Sequence, residues 1–591
     1  MAEYITTSFS SGEIAPRFYG RFDLQQVRQG AKRLRNVLIT PEGAVTRRTG
    51  TQFFSEAYDS SNTVRLLTIQ HSSDDATVVE VGYDTSEDKG YMKFIRDGAY
   101  VQDADDSADL VVDAPWAAED LHEIQYTQFG GFYAYLVHPG YNPRRLSYDP
   151  DLTVQDERWE LWESVAYDAS PTGNQFQFDV LNWGEIAMAD DYDADTTYDK
   201  NVYVIADDGG TDHIYRSVED GNKGNTPSSS DKWEDRGEVQ ATKGDYDFAP
   251  GDGTDGNKPA ACALYASRLV LGGSEKYPAG VFGSAVSLGG IEFTERFAPD
   301  TVDLSAEDAW YHTIYGAEYD RIVWLLSEQV LLAGTTNGLW RLGGPENPVM
   351  GTTENGAMIP LRQSSVGCEP VPPVMYGGMI VFVERGGRRV RAAEYAEAAQ
   401  KYTTSDLTSM SFHLTESKIV KVALQRRPWM ILWAIRGDGK VASFSFSPET
   451  GVSGWSLHEF SGVVEDVTVV PTGINEQVWF AVKREINGST VRHIEHLEIP
   501  VDFDENELNY ADSFVRWKGD GPFEISSYTK GSTDTVVMSS DLGDSGLQAG
   551  DRIRFFDTGN PELDGNVFEI GSLDDTADSF GLYYFNGTSG F

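Results

Sequence analysis

Short apolar runs closed by glycine or by an acid–glycine pair recur along most of this chain. Between 51 and 170 they include Val64-Arg65-Leu66-Leu67-Thr68-Ile69, the run Thr77 to Tyr83 and the run Tyr91 to Ile95. Clusters of Asp, Ser and Gly separate them, which is the pattern of strands joined by turns. Ile124 to His138 reads as a hairpin about Gly130-Gly131, and Tyr141 to Leu146 turns into the next strand. Between 259 and 500 the units are Ser267 to Gly273, Ile322 to Leu326, Val330 to Thr335, Gly338 to Leu342, Met379 to Val383, Met430 to Ile435, Val441 to Phe446 and Gln477 to Val482. Nearly all end in hairpin turn chemistry. Repeated hairpins with Trp and Gly near strand ends predict propeller blades, while the imperfect period leaves a stacked β-sandwich open. One helix is expected within 13–40. Leu24, Val27, Ala31, Leu34 and Leu38 recur at spacings of three and four, Pro16 precedes them and Pro41-Glu42-Gly43 ends the run. Its other face would carry Arg28, Lys32, Arg33 and Arg35.

These patterns divide the chain into an N-terminal arm and helix (1–50), a β-rich region (51–186), an inserted small β module (187–257), a propeller-like region (258–515) and a C-terminal small β-barrel module (516–591). The fold class expected is mainly β. The insertion is rich in Asp, Gly and Ser, and its spacing of Tyr198, Tyr215, Gly224-Asn225-Thr226-Pro227 and Trp233 resembles small chitin-binding-type carbohydrate modules. That resemblance implies glycan stacking by Tyr198, Tyr215 and Trp233. The alternative is that the same rings form the core of a small module. The Gly546 to Phe555 and Pro561 to Ile570 stretches resemble a barrel module common in phage tail proteins and also seen in ubiquitin-activating enzymes. That pattern normally runs past Phe591, so further chain is expected there.

Charge changes the picture. The 591-residue chain carries a formal net charge of −46. Residues 1–50 hold eight Lys/Arg and four Asp/Glu, a net of +4, which leaves −50 for the remainder (−46 minus +4). Such asymmetry assigns the two regions to different partners. An acidic chain is a poor nucleic-acid binder, but an acidic channel lets a duplex slide without sticking. No apolar run is long enough for a membrane-spanning helix. Two cysteines, Cys262 and Cys368, argue for lone buried thiols over a disulfide framework.

Catalysis is not expected. With 93 Asp and Glu, some carboxylate pair at glycosidase spacing is inevitable and carries no specificity. The sialidase Asp box is missing, the nine histidines show no His-Glu-x-x-His spacing, and no phosphate-binding Gly-Lys loop occurs. We expect no cofactor and no metal. The arginines at 385, 388, 389 and 391 fit an inter-subunit salt bridge at least as well as a substrate carboxylate.

Several stretches together resemble the tail nozzle, or hub, proteins of short-tailed bacteriophages (the tail tubular protein B-like, head-tail stabilisation group). They are Ser8-Phe9-Ser10-Ser11-Gly12-Glu13-Ile14, Arg47 to Thr51, Arg268 to Ser274, Leu331 to Thr335, Trp429 to Trp433, Asp438-Gly439, Gly454 to His458 and Ile494-Glu495. The likeness covers roughly 5–170 and 259–515 and leaves out the insertion and the C-terminal module. It implies a β-propeller fused to a platform domain, here 51–186, in a structural virion protein made in the host bacterial cytoplasm and placed in the virion tail. It also implies a homohexameric ring below the portal and adaptor, with tail fibres or spikes as neighbours and double-stranded DNA passing through without specific binding. Arg33, Arg35, Arg47 and Arg48 would then dock on the adaptor ring or a neighbouring subunit. The alternative function is a carbohydrate-binding tail adhesin.

Overall fold

The computed structural model describes residues 8–96, 98–103, 108–149, 158–166, 175–178, 190–200, 202–238, 258–284, 310–316, 319–343, 360–473, 475–498, 509–515 and much of 525–584. The chain divides into two compact units, Met1–Phe514 and Val515–Phe591.

The first unit is mainly β. Among the described residues, seven mainly antiparallel sheets form successive blades, and each packs on the next. Blade 1 holds Arg65–Gln70, Ala76–Asp84 and Lys89–Arg96, with Ala99–Tyr100 and Val111–Ala114 at its outer edge. Blade 2 holds Gln125–Phe129, Tyr133–His138, Tyr141–Tyr148 and Trp159–Ala166, extended by Gln175–Phe178. Blades 3 to 6 are four-stranded meanders that start at Ala261–Tyr265, Ile322–Ser327, Val374–Tyr376 and Ile419–Gln425. Blade 7 takes three strands from the far end of the ring, Val463–Thr472, Asn475–Ile486 and Ser489–Leu497. Its fourth strand, Thr51–Glu56, comes from near the N-terminus and pairs Thr51 with Leu497. Blade 7 then packs on blade 1, and the ring closes.

An apolar core fills each seam. Blades 1 and 2 meet over Phe94, Trp116 and Trp159, blades 5 and 6 over Tyr376, Phe444 and Trp455, and blades 7 and 1 over Val64, Trp479 and Ile494. A blade buries both faces, so its strands are apolar along their length. Met379–Val383 and Ile431–Arg436 are buried at every position. Close packing also dictates a glycine. Trp324 lies across from Gly334, where an added Cβ would come within 2.0 Å of the indole.

The middle of the ring is polar and filled. Lys421 of blade 6 places its Nζ 3.2 Å from the buried Asp466 of blade 7. Asp466 accepts from the Leu66 amide (2.8 Å), and the neighbouring Arg65 donates to the Leu121 carbonyl (2.7 Å). Gln125 of blade 2 reaches the Val323 carbonyl of blade 4 (2.7 Å). Burial alone would raise the Asp466 carboxyl, but Lys421 and Arg65 hold it below the usual range.

Two expectations are corrected here. The region 51–186 is not a separate platform, because its blades 1 and 2 are members of the same ring as 258–515. The helix expected within 13–40 shrinks to a single turn, Gln25–Arg28. Residues 16–24 form a 3-10 turn and further turns, and the stretch from Ala31 to Ile39 runs along blade 6. Its Leu34 amide goes to the Glu13 carboxylate (2.7 Å) and its Asn36 amide to the Leu457 carbonyl (3.0 Å), not to carbonyls four residues back. Leu34 and Ile39 bury against Val452, and tertiary packing replaces the helical stripe.

The inserted module has its own sheet, Asp190–Asp191, Tyr203–Asp208, Thr211–Ser217 and Trp233–Glu238, and a small buried core of Tyr198, Val204, Tyr215 and Trp233. The unit Val515–Phe591 contains a five-stranded sheet over a core that includes Val536, Phe568 and Leu582.

Candidate functional site

The arm, residues 8–50, lies along the outer strand of blade 6, Val452–His458. Edge strands carry unpaired backbone groups, and the arm satisfies them. Ser453 donates to the Ser10 carbonyl (2.8 Å), Glu13 to the Trp455 carbonyl (2.8 Å), and the Ser456 hydroxyl to the Val37 carbonyl (2.7 Å). Gly12 sits here at φ +67°, where a Cβ would meet the Trp455 amide nitrogen at 2.3 Å.

Glu13 is the fastening point. It is 2% exposed and accepts from Leu34 N–H, from the Arg35 guanidinium and from His413 Nε2 (2.9 Å). Burial raises its carboxyl, but His413, Arg35 and the Leu34 amide together outweigh this and hold it low. The Ser411 hydroxyl donates to the Glu13 carbonyl (2.6 Å), so the loop 407–418 is locked to the arm.

That loop carries the arm's basic surface onto the blades. Arg17 stacks 5.3 Å over Phe412. The Thr415 hydroxyl donates to the Arg388 carbonyl (2.6 Å), and the Ile419 amide to Gly387 (2.7 Å). The turn 384–389 reaches the next blade through Arg385, which donates to Asn337 Oδ1 (2.9 Å). Asn337 in turn donates to the Tyr319 carbonyl (2.6 Å). One face therefore presents Arg17, Lys32, Arg33, Arg385, Arg388 and Lys418, all exposed. Tyr319, 75% exposed, lies at its far end, beside Asn337. Other cations there are paired, Arg391 with Glu384 (2.6 Å) and Lys440 with Glu459 (2.7 Å), and Glu416 is exposed among them. Arg388 and Lys418 have no ion pair among the described residues. Such a surface recognises carboxylates through guanidinium forks and anchors partners through tyrosine.

The four arginines expected to dock separate into two kinds. Arg48 is corrected: it is 4% exposed, bonds Asp512 at 2.8 Å and stacks 4.3 Å over Phe460, so it belongs to the fold. Arg35 is largely spent on Glu13. Arg33 is exposed, as is Arg47, which stacks 4.4 Å over Tyr510. Sequence reasoning missed Lys418 and undervalued Arg388, because only the fold brings their turns beside the arm.

The glycan-stacking residues are corrected too. Tyr198, Tyr215 and Trp233 are 6%, 2% and 6% exposed and form the module's core. Trp233 Nε1 donates to the Asn225 carbonyl (2.8 Å), and its ring lies 5.3 Å from Tyr198. No ring face is left for a sugar. Cys262 and Cys368 are free and buried, and burial pushes both thiols up.

No family model and no curated protein matches this chain. Among solved structures, the Pan2 WD40 domain of Neurospora crassa aligns with 66% of this chain and 93% of its own, at 8% identity and a TM-score of 0.27. A protein from Lactobacillus plantarum aligns with 57% of this chain and 82% of its own, at 11% identity and 0.27. Scores that low carry no argument, and the propeller rests on the hydrogen-bonded sheets and their seams.

Proposed function

We propose that this chain is a structural tail protein of a short-tailed phage, the nozzle or hub below the portal and adaptor. The reading combines the sequence resemblance with one structural observation: exposed cations gather on one face, over the arm and the turns of blades 5 and 6, in a chain of net charge −46. That face is the docking surface for an acidic neighbour, the adaptor ring or a second subunit. The remaining acidic surface faces the DNA path and repels it, which keeps the exiting genome mobile. The filled ring axis, with Arg65, Lys421 and Asp466 at its middle, leaves no room for a duplex through one chain. The DNA path therefore runs between copies arranged about a shared axis, six in this reading.

Electron imaging of intact particles tests this. A closed ring of copies below the adaptor, with the cationic face at a subunit or adaptor contact, is the expected result. Density only in peripheral spikes overturns it. Particles carrying Arg33→Glu, Arg388→Glu and Lys418→Glu together should lack the ring, and normal particles would refute the docking face. The adhesin reading loses its stacking residues to the module core and is not pursued.

A further inference from the structure

We propose that Asp208, His213 and Asp235 of the inserted module form a binding site for one divalent transition-metal ion of the zinc class. The three residues stand on three adjacent strands, Tyr203–Asp208, Thr211–Ser217 and Trp233–Glu238. Their donor atoms all lie within 4.8 Å of one another. His213 Nδ1 is 3.0 Å from Asp235 Oδ1.

Register explains the convergence. Tyr215 pairs with Val204 on one side and Asp235 on the other, and His213 pairs with Ala206. Side chains alternate along a strand, so Asp208, His213 and Asp235 share the sheet face that carries the core residues Val204 and Tyr215. They occupy the end of that face, with His213 half-buried and Asp208 and Asp235 exposed. A register shift between His213 and Tyr215 marks an irregularity in the pairing with the last strand, the kind of device that re-aims side chains. The Tyr215 hydroxyl lies 3.4 Å from Asp208 Oδ2 and stands as an outer partner to that ligand.

The chemistry of the donors selects the ion. One imidazole with two carboxylates suits zinc, cobalt, nickel or manganese, whereas calcium and magnesium prefer oxygen-only cages. A tetrahedral ion about 2.1 Å from each donor sets the donors about 3.4 Å apart, so the widest of the pairs now within 4.8 Å draws together on binding. A fourth position stays open to water or to a ligand atom. The module also has use for a cross-link. Its core is four side chains, and the chain's two cysteines lie elsewhere as free thiols. Domains this small commonly rely on a disulfide or a metal. Short-range motif searches miss such a site, because its ligands come from three strands. The proposal does not depend on the tail reading.

The test uses the untagged full-length chain, stripped by chelator and titrated with zinc chloride by calorimetry, then with cobalt by visible absorption. We expect one ion per chain at this site, a cobalt d–d band, and at least a tenfold loss of affinity in His213→Ala and in Asp208→Asn. Asp208→Asn keeps the side-chain shape and covers the case in which His213→Ala disturbs the fold, which circular dichroism reports. Zinc affinity weaker than about 1 mM, or binding unchanged in both variants (an adventitious ion only), overturns the proposal.

Discussion

The arm and the inserted module each carry side chains suited to a partner, and each commits some of them to its own interior: Arg35 and Arg48 in the arm, and Tyr198, Tyr215 and Trp233 in the module. They do so with different physics. The arm is held by buried charge: Glu13 gathers Arg35, His413 and a backbone amide, and Arg48 meets Asp512. The module is held by rings, with Tyr198, Tyr215 and Trp233 packed on one another. A buried ion pair needs every partner in place, whereas an aromatic core needs only volume. A basic sequence segment is therefore an uneven guide to a basic surface: Arg33 and Arg47 stay exposed, while Arg35 and Arg48 are used internally.

The largest expected effect comes from Glu13→Ala. It leaves Arg35, His413 and the Leu34 amide without their acceptor and should cost about 4 kcal/mol. The urea midpoint should fall, and limited proteolysis should cut within 8–50 while the module stays intact. Protection of the arm in this variant would break the comparison. Trp233→Ala should cost about 3 kcal/mol, confined to the module, with new protease cuts between 202 and 238 and an unchanged arm. A loss of glycan binding without loss of module structure would instead return Trp233 to a stacking role.

Acid gives the smallest effect. His496 pairs with Gln52 across the strand that closes the ring, and burial pushes it from 6.5 to about 4. Between those values the unfolded chain holds more protons than the folded one, so stability falls as pH falls through that window, by at most about 3 kcal/mol and by less once solvent screening of this half-buried ring is counted. Glu13, held below the usual carboxylate range by His413, Arg35 and the Leu34 amide, keeps its bonds through most of that range and loses them only under stronger acid. The ring seam should thus loosen before the arm lets go, and the module core has no group that titrates there. Hydrogen exchange from pH 7 to 4 reads the order, and His496→Gln should flatten the dependence at blade 7.

The strands were legible because turn residues punctuate them and burial on both faces leaves apolar runs such as Met379–Val383. Their number in the ring was not, since such runs lack the alternation that assigns faces, and the seventh blade joins Thr51 to Leu497 from opposite ends of the ring. The helix failed because Leu24 to Leu38 has an outlet that spacing cannot see: the bare edge of blade 6. Arg33 could be picked from sequence as an exposed cation. Arg48 could not be told from it, because Asp512 and Phe460 reach it only in the folded chain.

The closing strand also sets a clock on biosynthesis. Thr51–Glu56 leaves the ribosome early, yet its partner Ser489–Leu497 follows about 430 residues later. At about 5–20 residues per second, that edge waits roughly 20 to 90 seconds for its mate. Throughout that interval a nascent chain exposes an unpaired strand and the flanks of two unfinished blades, which makes this protein a natural client for co-translational chaperones and makes premature termination before residue 489 a route to aggregates instead of shortened rings.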